Sequence, residues 1–232
     1  MRSAVLAGAL VALSAWTVGA RAQDSARVRG SAEMAPVKEY LMDRDAEITL
    51  ARSAAPTAIS AAATILVLTP RGYQTAVRGS NGFSCLVDRQ WQAPFSEPNF
   101  WDPRVRAPVC FNPQAVRSVL PLQHQRTRLA LRGYSREQIM QRVMAGRIES
   151  GAMAYMMSKD QYLGHPDPTF QPHLMCYAPN TVQSADWGAN LALSPIFGSP
   201  ELMPNGKRAA LHIFVIPVDH WSDGTPATPK PH

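Results

Sequence analysis

The sequence predicts an α+β protein: a single domain with an antiparallel sheet of about five to six strands and about three helices packed on it. Short apolar runs separated by turn residues recur along the chain, as in antiparallel sheets. Amphipathic segments with helical spacing lie between groups of these runs. Of the 232 residues, 46% are hydrophobic and 17% are charged, so the chain can bury a sizeable core.

The first residues are typical of a secretory signal. Arg2 supplies a positive charge, an apolar run spans Ala4–Gly19, and Ala20-Arg21-Ala22 matches a cleavage site of the A-x-A type. Cleavage there leaves Gln23 as the mature N-terminus. An N-terminal membrane anchor is the alternative, but the apolar run is short for a membrane span. We therefore predict a periplasmic or secreted protein with no membrane association after signal cleavage.

The mature chain is predicted to have three parts. Residues 23–35 form a flexible leader, 36–224 the single α+β domain, and 225–232 a disordered, Pro-rich tail. Loss of Arg2 and Arg21 with the signal lowers the formal charge from +6 to +4. Lys and Arg do not cluster with interleaved aromatic residues, which excludes a nucleic-acid partner from the prediction. The oligomeric state stays unknown.

Caps and spacing predict the helices. A first helix begins at Pro36 and ends before Pro56, with Asp43-Arg44-Asp45 on its solvent face. A second helix runs to Val119 and has Asn112 as its N-cap. The third begins at a capping box, Ser135-Arg136-Glu137-Gln138.

Turn residues divide the first apolar runs into strands. Ala63–Leu68, Tyr73–Val77 and Phe83–Val87 are predicted to form an antiparallel meander. Gly79-Ser80-Asn81-Gly82 is interpreted as a hairpin turn, because Asn-Gly is a strong hairpin signal. Ala209–Val218 is apolar on both faces, which predicts a central strand.

Three cysteines permit one disulfide, in three possible pairings. We favour Cys85–Cys110, because Cys110 lies in a Pro- and Trp-rich segment with little predicted regular structure, which a bridge would fix in place. Cys176 is then predicted to be a buried apolar thiol on a strand.

The segment Gly151–Tyr177 holds the densest set of reactive side chains, with four Met, two His, one Cys and three Tyr. Its two ends, Ala152–Met157 and Pro172–Tyr177, are predicted strands, and a long loop containing His165 joins them. Side chains alternate across a strand. One register gathers a Met/His surface consisting of Met153, Met157, His173 and Met175.

This segment supplies the candidate ligand-binding residues, which are Met153, Tyr155, Met157, His165, His173 and Met175. They predict an exported small-ligand-binding module with a pocket lined by Met, His and Tyr. The alternatives are a periplasmic enzyme that uses His173 or His165 as acid or base, and a structural envelope protein without a ligand.

The sequence assigns no catalytic residue and no cofactor, because no known nucleophile, metalloprotease or phosphate-loop motif is present. Imidazole and thioether groups bind copper. However, Met more often packs in cores, and no tight Met-x-x-Met or His-x-His repeat is present. No metal ligands are predicted.

An ordered set of short motifs resembles a family of exported bacterial proteins of unassigned function. The motifs are Ser53-Ala54-Ala55-Pro56, Ile59-Ser60, Asn81-Gly82-Phe83-Ser84-Cys85, Tyr155-Met156-Met157 and Pro172-His173-Leu174-Met175. The resemblance covers most of the mature chain. It implies export and a single domain, and it implies no activity, cofactor or catalytic residue.

Overall fold

The structure is a computed structural model that describes residues 33–143, 146–164, 169–199, 206–207, 209 and 211–227. Within these residues the chain is α+β, as predicted, with five α-helices beside one sheet of eight strands. The sheet has more strands than the predicted five to six, and it is mixed rather than wholly antiparallel. The predicted signal lies outside the described residues. Residues 225–227 belong to the predicted tail. Within them, Pro226 forms an isolated antiparallel β-bridge with His220.

The strands are β1 (Thr64–Thr69), β2 (Gly72–Val77), β3 (Ser84–Asp88), β4 (Ala107–Phe111), β5 (Met153–Met156), β6 (His173–Pro179), β7 (Phe197–Gly198) and β8 (Leu211–Pro217). Their order across the sheet is β2-β1-β3-β4-β5-β6-β8-β7. All neighbours pair antiparallel except β1 and β3, which are parallel.

The helices are α1 (Arg44–Arg52), α2 (Thr57–Ser60), α3 (Pro113–Ser118), α4 (Leu120–Leu131) and α5 (Arg136–Arg142). The predicted Asn112 cap and Ser135 capping box are both present. The first predicted helix is divided, because Asp43 accepts hydrogen bonds from the next turn and begins α1 at Arg44. Asp43 and its neighbours Arg44 and Asp45 are exposed, as predicted. None of the described helices is long and apolar enough to span a membrane.

The predicted meander is confirmed for β1 and β2, which pair antiparallel, but it is wrong for β3. Strand β3 pairs with β1 in parallel, so the connection from β2 must cross the beginning of β1. It is held there by the backbone N–H groups of Ser80 and Asn81, which donate to Ala62 O at 2.8 and 3.3 Å. The N–H of Gly79 donates to Thr64 Oγ1 at 3.1 Å. The Asn-Gly pair therefore lies in a crossing connection instead of a hairpin.

Gly79 is required by this crossing. A Cβ atom at residue 79 would lie 2.3 Å from the backbone C of Ala63 and from the backbone N of Thr64. We expect Gly79→Ala to destabilise the protein by about 1–3 kcal/mol, as overpacking does elsewhere. Urea unfolding measures the change. Gly146→Ala is the matched control, because a Cβ there meets nothing within 4 Å. Equal midpoints for the two variants would contradict the crossing.

Three elements arise in stretches that the sequence left irregular or unassigned. Strand β4 lies in the Pro- and Trp-rich segment and is buried along its whole length. Strand β7 has only two residues and lies in a stretch to which the sequence assigned no element. Helix α4 follows α3 directly, with Pro121 in its first turn, where its missing N–H costs nothing.

The two sheet faces are covered by different helices. Helix α1 packs on one face around Ile65, Cys85 and Cys110. The other face is covered where α3 passes into α4. There, Val119 and Leu120 pack against Leu86, Val109 and Phe111. We call this second side the α4 face. By strand alternation and register it also carries Asp88, Ala154, Met156, His173, Met175 and Tyr177.

The predicted disulfide is confirmed. Cys85 and Cys110 are directly opposite each other on β3 and β4, and a disulfide bond joins them. Both residues are fully buried beneath α1. The bridge therefore joins two strands at the centre of the sheet and does not pin an irregular segment.

Candidate functional site

Strands β5 and β6 pair antiparallel, and their register divides the predicted binding residues between two faces. His173 lies opposite Met156, and Met175 lies opposite Ala154, so this group points to the α4 face. Met153 and Tyr155 point to the other side of the sheet. The surface that would gather Met153 and Met157 with His173 is therefore not formed. Met156, which the sequence did not select, takes their place.

Two other predicted residues lie outside this register. Met157 follows β5 and is buried. Its backbone N–H donates to Ala54 O at 2.9 Å, and its carbonyl accepts from Ser222 N at 2.9 Å, so the segment is tied down on both sides. His165 lies outside the described residues.

His173 is the first residue of β6. Its Nδ1 lies 2.8 Å from the carbonyl oxygen of Gln171. The residue is buried, at 5% exposure. Burial lowers the pKa of His173, so the ring is neutral at pH 7. Because a carbonyl only accepts, Nδ1 carries the hydrogen and Nε2 carries the lone pair.

Cys176 lies on the face opposite to His173, opposite Met153. The thiol was predicted to be buried, but Cys176 is only half-buried. Its partial burial still raises the pKa of the thiol. A thiol with a raised pKa is a poor nucleophile at neutral pH. Cys176 therefore offers no support for covalent catalysis.

Asp88 is a candidate residue that sequence reasoning missed. It is the last residue of β3, points to the α4 face and is 7% exposed. Its Oδ1 has no hydrogen-bond partner among the described residues. Burial raises the pKa of Asp88 to about 7, although the charges of Arg126 and Arg89 act in the opposite direction. Perturbed carboxyl groups of this kind concentrate at functional sites.

Two tyrosine side chains, of which Tyr177 is buried and Tyr73 half-buried, lie within electrostatic range of Asp88. Burial is the main cause of the raised pKa of Tyr73 and of Tyr177, and the negative charge of Asp88 adds to both shifts. The Tyr73 hydroxyl donates to Val87 O at 2.7 Å, and the Tyr177 hydroxyl lies 3.8 Å from the sulfur of Met175. Met175, a predicted site residue, lies on the same face of the sheet as Asp88 but three strands away.

A second group of polar atoms lines the contact of α4 with the chain that follows β3. Four buried atoms there have no partner among the described residues: Gln92 Oε1, Gln123 Oε1, His124 Nε2 and Arg126 Nε. The Gln92 amide nitrogen donates to Gln123 O at 2.8 Å, which fixes the orientation of the amide group. The His124 ring stacks on Tyr73, with 6.0 Å between ring centroids. Four buried polar atoms without a hydrogen-bond partner require water or a ligand to supply one.

The site combines a carboxyl group whose pKa is raised to about 7 by burial with two tyrosine side chains within its electrostatic range. Such a site can hold a hydrogen-bond donor against an apolar surface. Within the described part of the chain, no group of three His, Cys, Asp or Glu residues is placed to hold a metal ion. The basic and polar run at Gln123–Arg128 was visible in the sequence, but its helix, and hence its inward face, was not.

Comparison with known proteins yields no relative: no protein-family model, no curated protein and no solved structure matches this chain. The resemblance to exported bacterial proteins stays a prediction. The function must be argued from the side chains.

Proposed function

We propose that the mature chain is an exported module that binds a small ligand on the α4 face, with Asp88 as its polar anchor. One observation carries the proposal, namely the buried Oδ1 of Asp88 without a partner among the described residues. A buried polar atom in this state costs roughly 1–3 kcal/mol. A ligand with an N–H or O–H donor recovers that free energy when it binds.

The surroundings of Asp88 define the class of ligand. Tyr73 and Tyr177 offer aromatic surface within electrostatic range of the carboxyl group. We infer an apolar or aromatic body that carries a single donor group, and an amine is favoured because aromatic rings and a carboxylate both attract cations. An ammonium group lowers the pKa of Asp88 when it binds, so its affinity should increase as pH rises through 7.

Export is supported by two separate features. The Cys85–Cys110 bridge fits an oxidising compartment. The Ala20-Arg21-Ala22 site fits signal cleavage. Sequencing the N-terminus of the exported protein is the direct check, with Gln23 expected as its first residue.

An acid–base enzyme is the second candidate function, and the pKa of Asp88 favours it. General acids and bases work best when their pKa lies near the operating pH. His173, which the sequence proposed for this role, is held neutral by burial, so only its Nε2 can act, as a base. Conversion of the retained ligand during incubation would identify an enzyme, whereas unchanged ligand supports the binding module.

The main experiment compares wild type with Asp88→Asn by native mass spectrometry of protein purified from the periplasm. We expect wild type to retain a small molecule and Asp88→Asn to lose it, with both proteins folded. Met153→Leu is the control, because Met153 points to the other face. Equal retention by Asp88→Asn would remove Asp88 as the anchor. A wild-type protein that retains nothing would favour a structural envelope role.

The same variant has a predicted effect on stability against pH. The folded state binds a proton at Asp88 more tightly than the unfolded state, because the folded pKa is raised to about 7. The stabilisation from this proton is complete below about pH 4 and is lost as pH rises through 7. We expect Asp88→Asn to flatten the stability profile over this range, as measured by urea unfolding. Parallel profiles would show that Asp88 titrates normally.

A further inference from the structure

We propose that His173, Met156 and Met175 form a binding site for one soft monovalent metal ion, such as Cu(I), through the imidazole Nε2 and two thioether sulfurs. This inference does not depend on the role of Asp88. It also revises the sequence-based expectation that the chain has no metal ligands, since the Met residue that completes the set is Met156, which only the strand register reveals.

The register brings the three side chains together. Met156 on β5 lies directly opposite His173 on β6, and Met175 follows His173 by two residues on the same face. Directly opposed Cβ atoms in an antiparallel pair are about 4.5–5.5 Å apart, and diagonal neighbours about 7–8 Å. The Met175 sulfur lies 3.8 Å from the Tyr177 hydroxyl. Because Met has three rotatable side-chain bonds, this sulfur and that of Met156 can both turn toward one point near the imidazole. Ala154, opposite Met175, occupies the fourth corner of this patch with a small side chain.

The orientation of His173 suits metal binding. Its Nδ1–H donates to the Gln171 carbonyl at 2.8 Å, which fixes the tautomer and directs the Nε2 lone pair away from the backbone. Histidine ligands of metals commonly make such a bond with their other nitrogen. The edge-on Phe170 ring, with its centroid 5.1 Å from that of the imidazole, restrains the ring further.

The ligand chemistry selects the ion. Imidazole and thioether groups are neutral, and two sulfurs favour a soft ion over Ca²⁺, Mg²⁺ or Zn²⁺. Both His173 and Met156 are less than 10% exposed, so the ion loses most of its water on binding. Dehydration costs far less for a single charge than for two. A neutral set with two thioethers, in which Met175 is half-buried and the other two residues are buried, therefore fits Cu(I).

The test is an anaerobic Cu(I) titration of the disulfide-intact protein in competition with a coloured Cu(I) chelator. We expect wild type to bind one equivalent. Met156→Leu and Met175→Leu should each weaken Cu(I) binding at least about tenfold, by comparison with the loss seen when supporting groups are removed from metal sites. His173→Ala should abolish it. Leu replaces Met with similar volume, so the fold should persist, and circular dichroism checks this.

Met153→Leu is the matched control, because Met153 lies on the same strand as Met156 but on the opposite face. It should leave Cu(I) affinity unchanged, as should Asp88→Asn. Equal weakening by Met153→Leu and Met156→Leu would overturn the site, and so would a wild-type protein that takes no Cu(I) from the chelator. Binding of Cu(I) by Asp88→Asn after its small molecule is lost would separate this site from the proposed ligand site.

Discussion

Glu47→Ala is expected to lower the free energy of unfolding by about 3–5 kcal/mol, because it leaves a buried guanidinium without its counter-ion. Glu47 and Arg89 are almost completely buried, with side chains that are 1% and 0% exposed. Arg89 Nη2 lies 2.9 Å from Glu47 Oε1. The same oxygen accepts from the backbone N–H of Leu68 at 3.2 Å. The substitution therefore removes the partners of a charge and of a strand N–H.

Arg89 also supports the backbone around it. Its Nε donates to Tyr40 O at 2.7 Å, and its Nη1 donates to Val87 O. The residue thus connects the chain before α1 with the end of β3. We expect Arg89→Ala to be as harmful as Glu47→Ala. The Tyr40 carbonyl loses a donor, the Val87 carbonyl keeps only the Tyr73 hydroxyl, and a carboxylate loses its cation.

A double-mutant cycle and a surface pair provide the controls. Glu47→Met combined with Arg89→Met should cost less than the sum of the two single changes, because no isolated charge remains. Arg117→Ala should leave the urea midpoint unchanged, because its ion pair with Glu149 lies at the surface. Additive single changes at Glu47 and Arg89 would contradict direct coupling within the pair.

Loss of the Cys85–Cys110 disulfide is expected to destabilise the protein by about 3–4 kcal/mol. The bridge closes a loop with a sequence separation of 25 residues. In the chain-entropy model a loop of this length contributes slightly more than about 3 kcal/mol to the stability. Packing of the bridge between two adjacent strands adds to this contribution. Comparing urea midpoints of oxidised and reduced protein in a Cys176→Ala background measures the effect without exchange by the third thiol.

Cysteine mapping checks the same bridge independently. Non-reducing peptide mapping should show Cys85 joined to Cys110. Cys176 should label slowly in the native protein, because burial raises its pKa, and faster in urea. Cys176→Ala alone should leave the oxidised midpoint close to that of wild type. A bridge that includes Cys176 would refute the assignment.

The sequence predicted those parts of the fold that local interactions decide. The Asn112 cap and the Ser135 capping box depend on neighbours a few residues away, and both are present. The parallel pairing of β1 with β3 depends on a backbone contact between Gly79 and Thr64, which no local pattern encodes. Pro108 likewise hid β4 in the sequence. It lies outside the part of β4 that pairs with β5, which consists of Cys110 and Phe111.

The candidate site was predicted in part, and the reason is strand register. The sequence placed His173 and Met175 on one face, but the choice between Met153 and Met156 required the pairing of β5 with β6. A shift of one residue exchanges the faces of a strand. Asp88 and Glu47 were missed because acidic residues are normally solvated, and only tertiary packing buried these two.

The strand order has a consequence for how the chain would acquire its disulfide on the proposed export route. Most strands lie beside a neighbour in sequence, so each can dock as it emerges, at a low cost in loop closure. A chain that emerges N-terminus first can pair β1, β3 and β4 before the later strands are available. Cys85 and Cys110 would then meet before Cys176 arrives. The order of arrival would thereby protect the native bridge from the competing thiol.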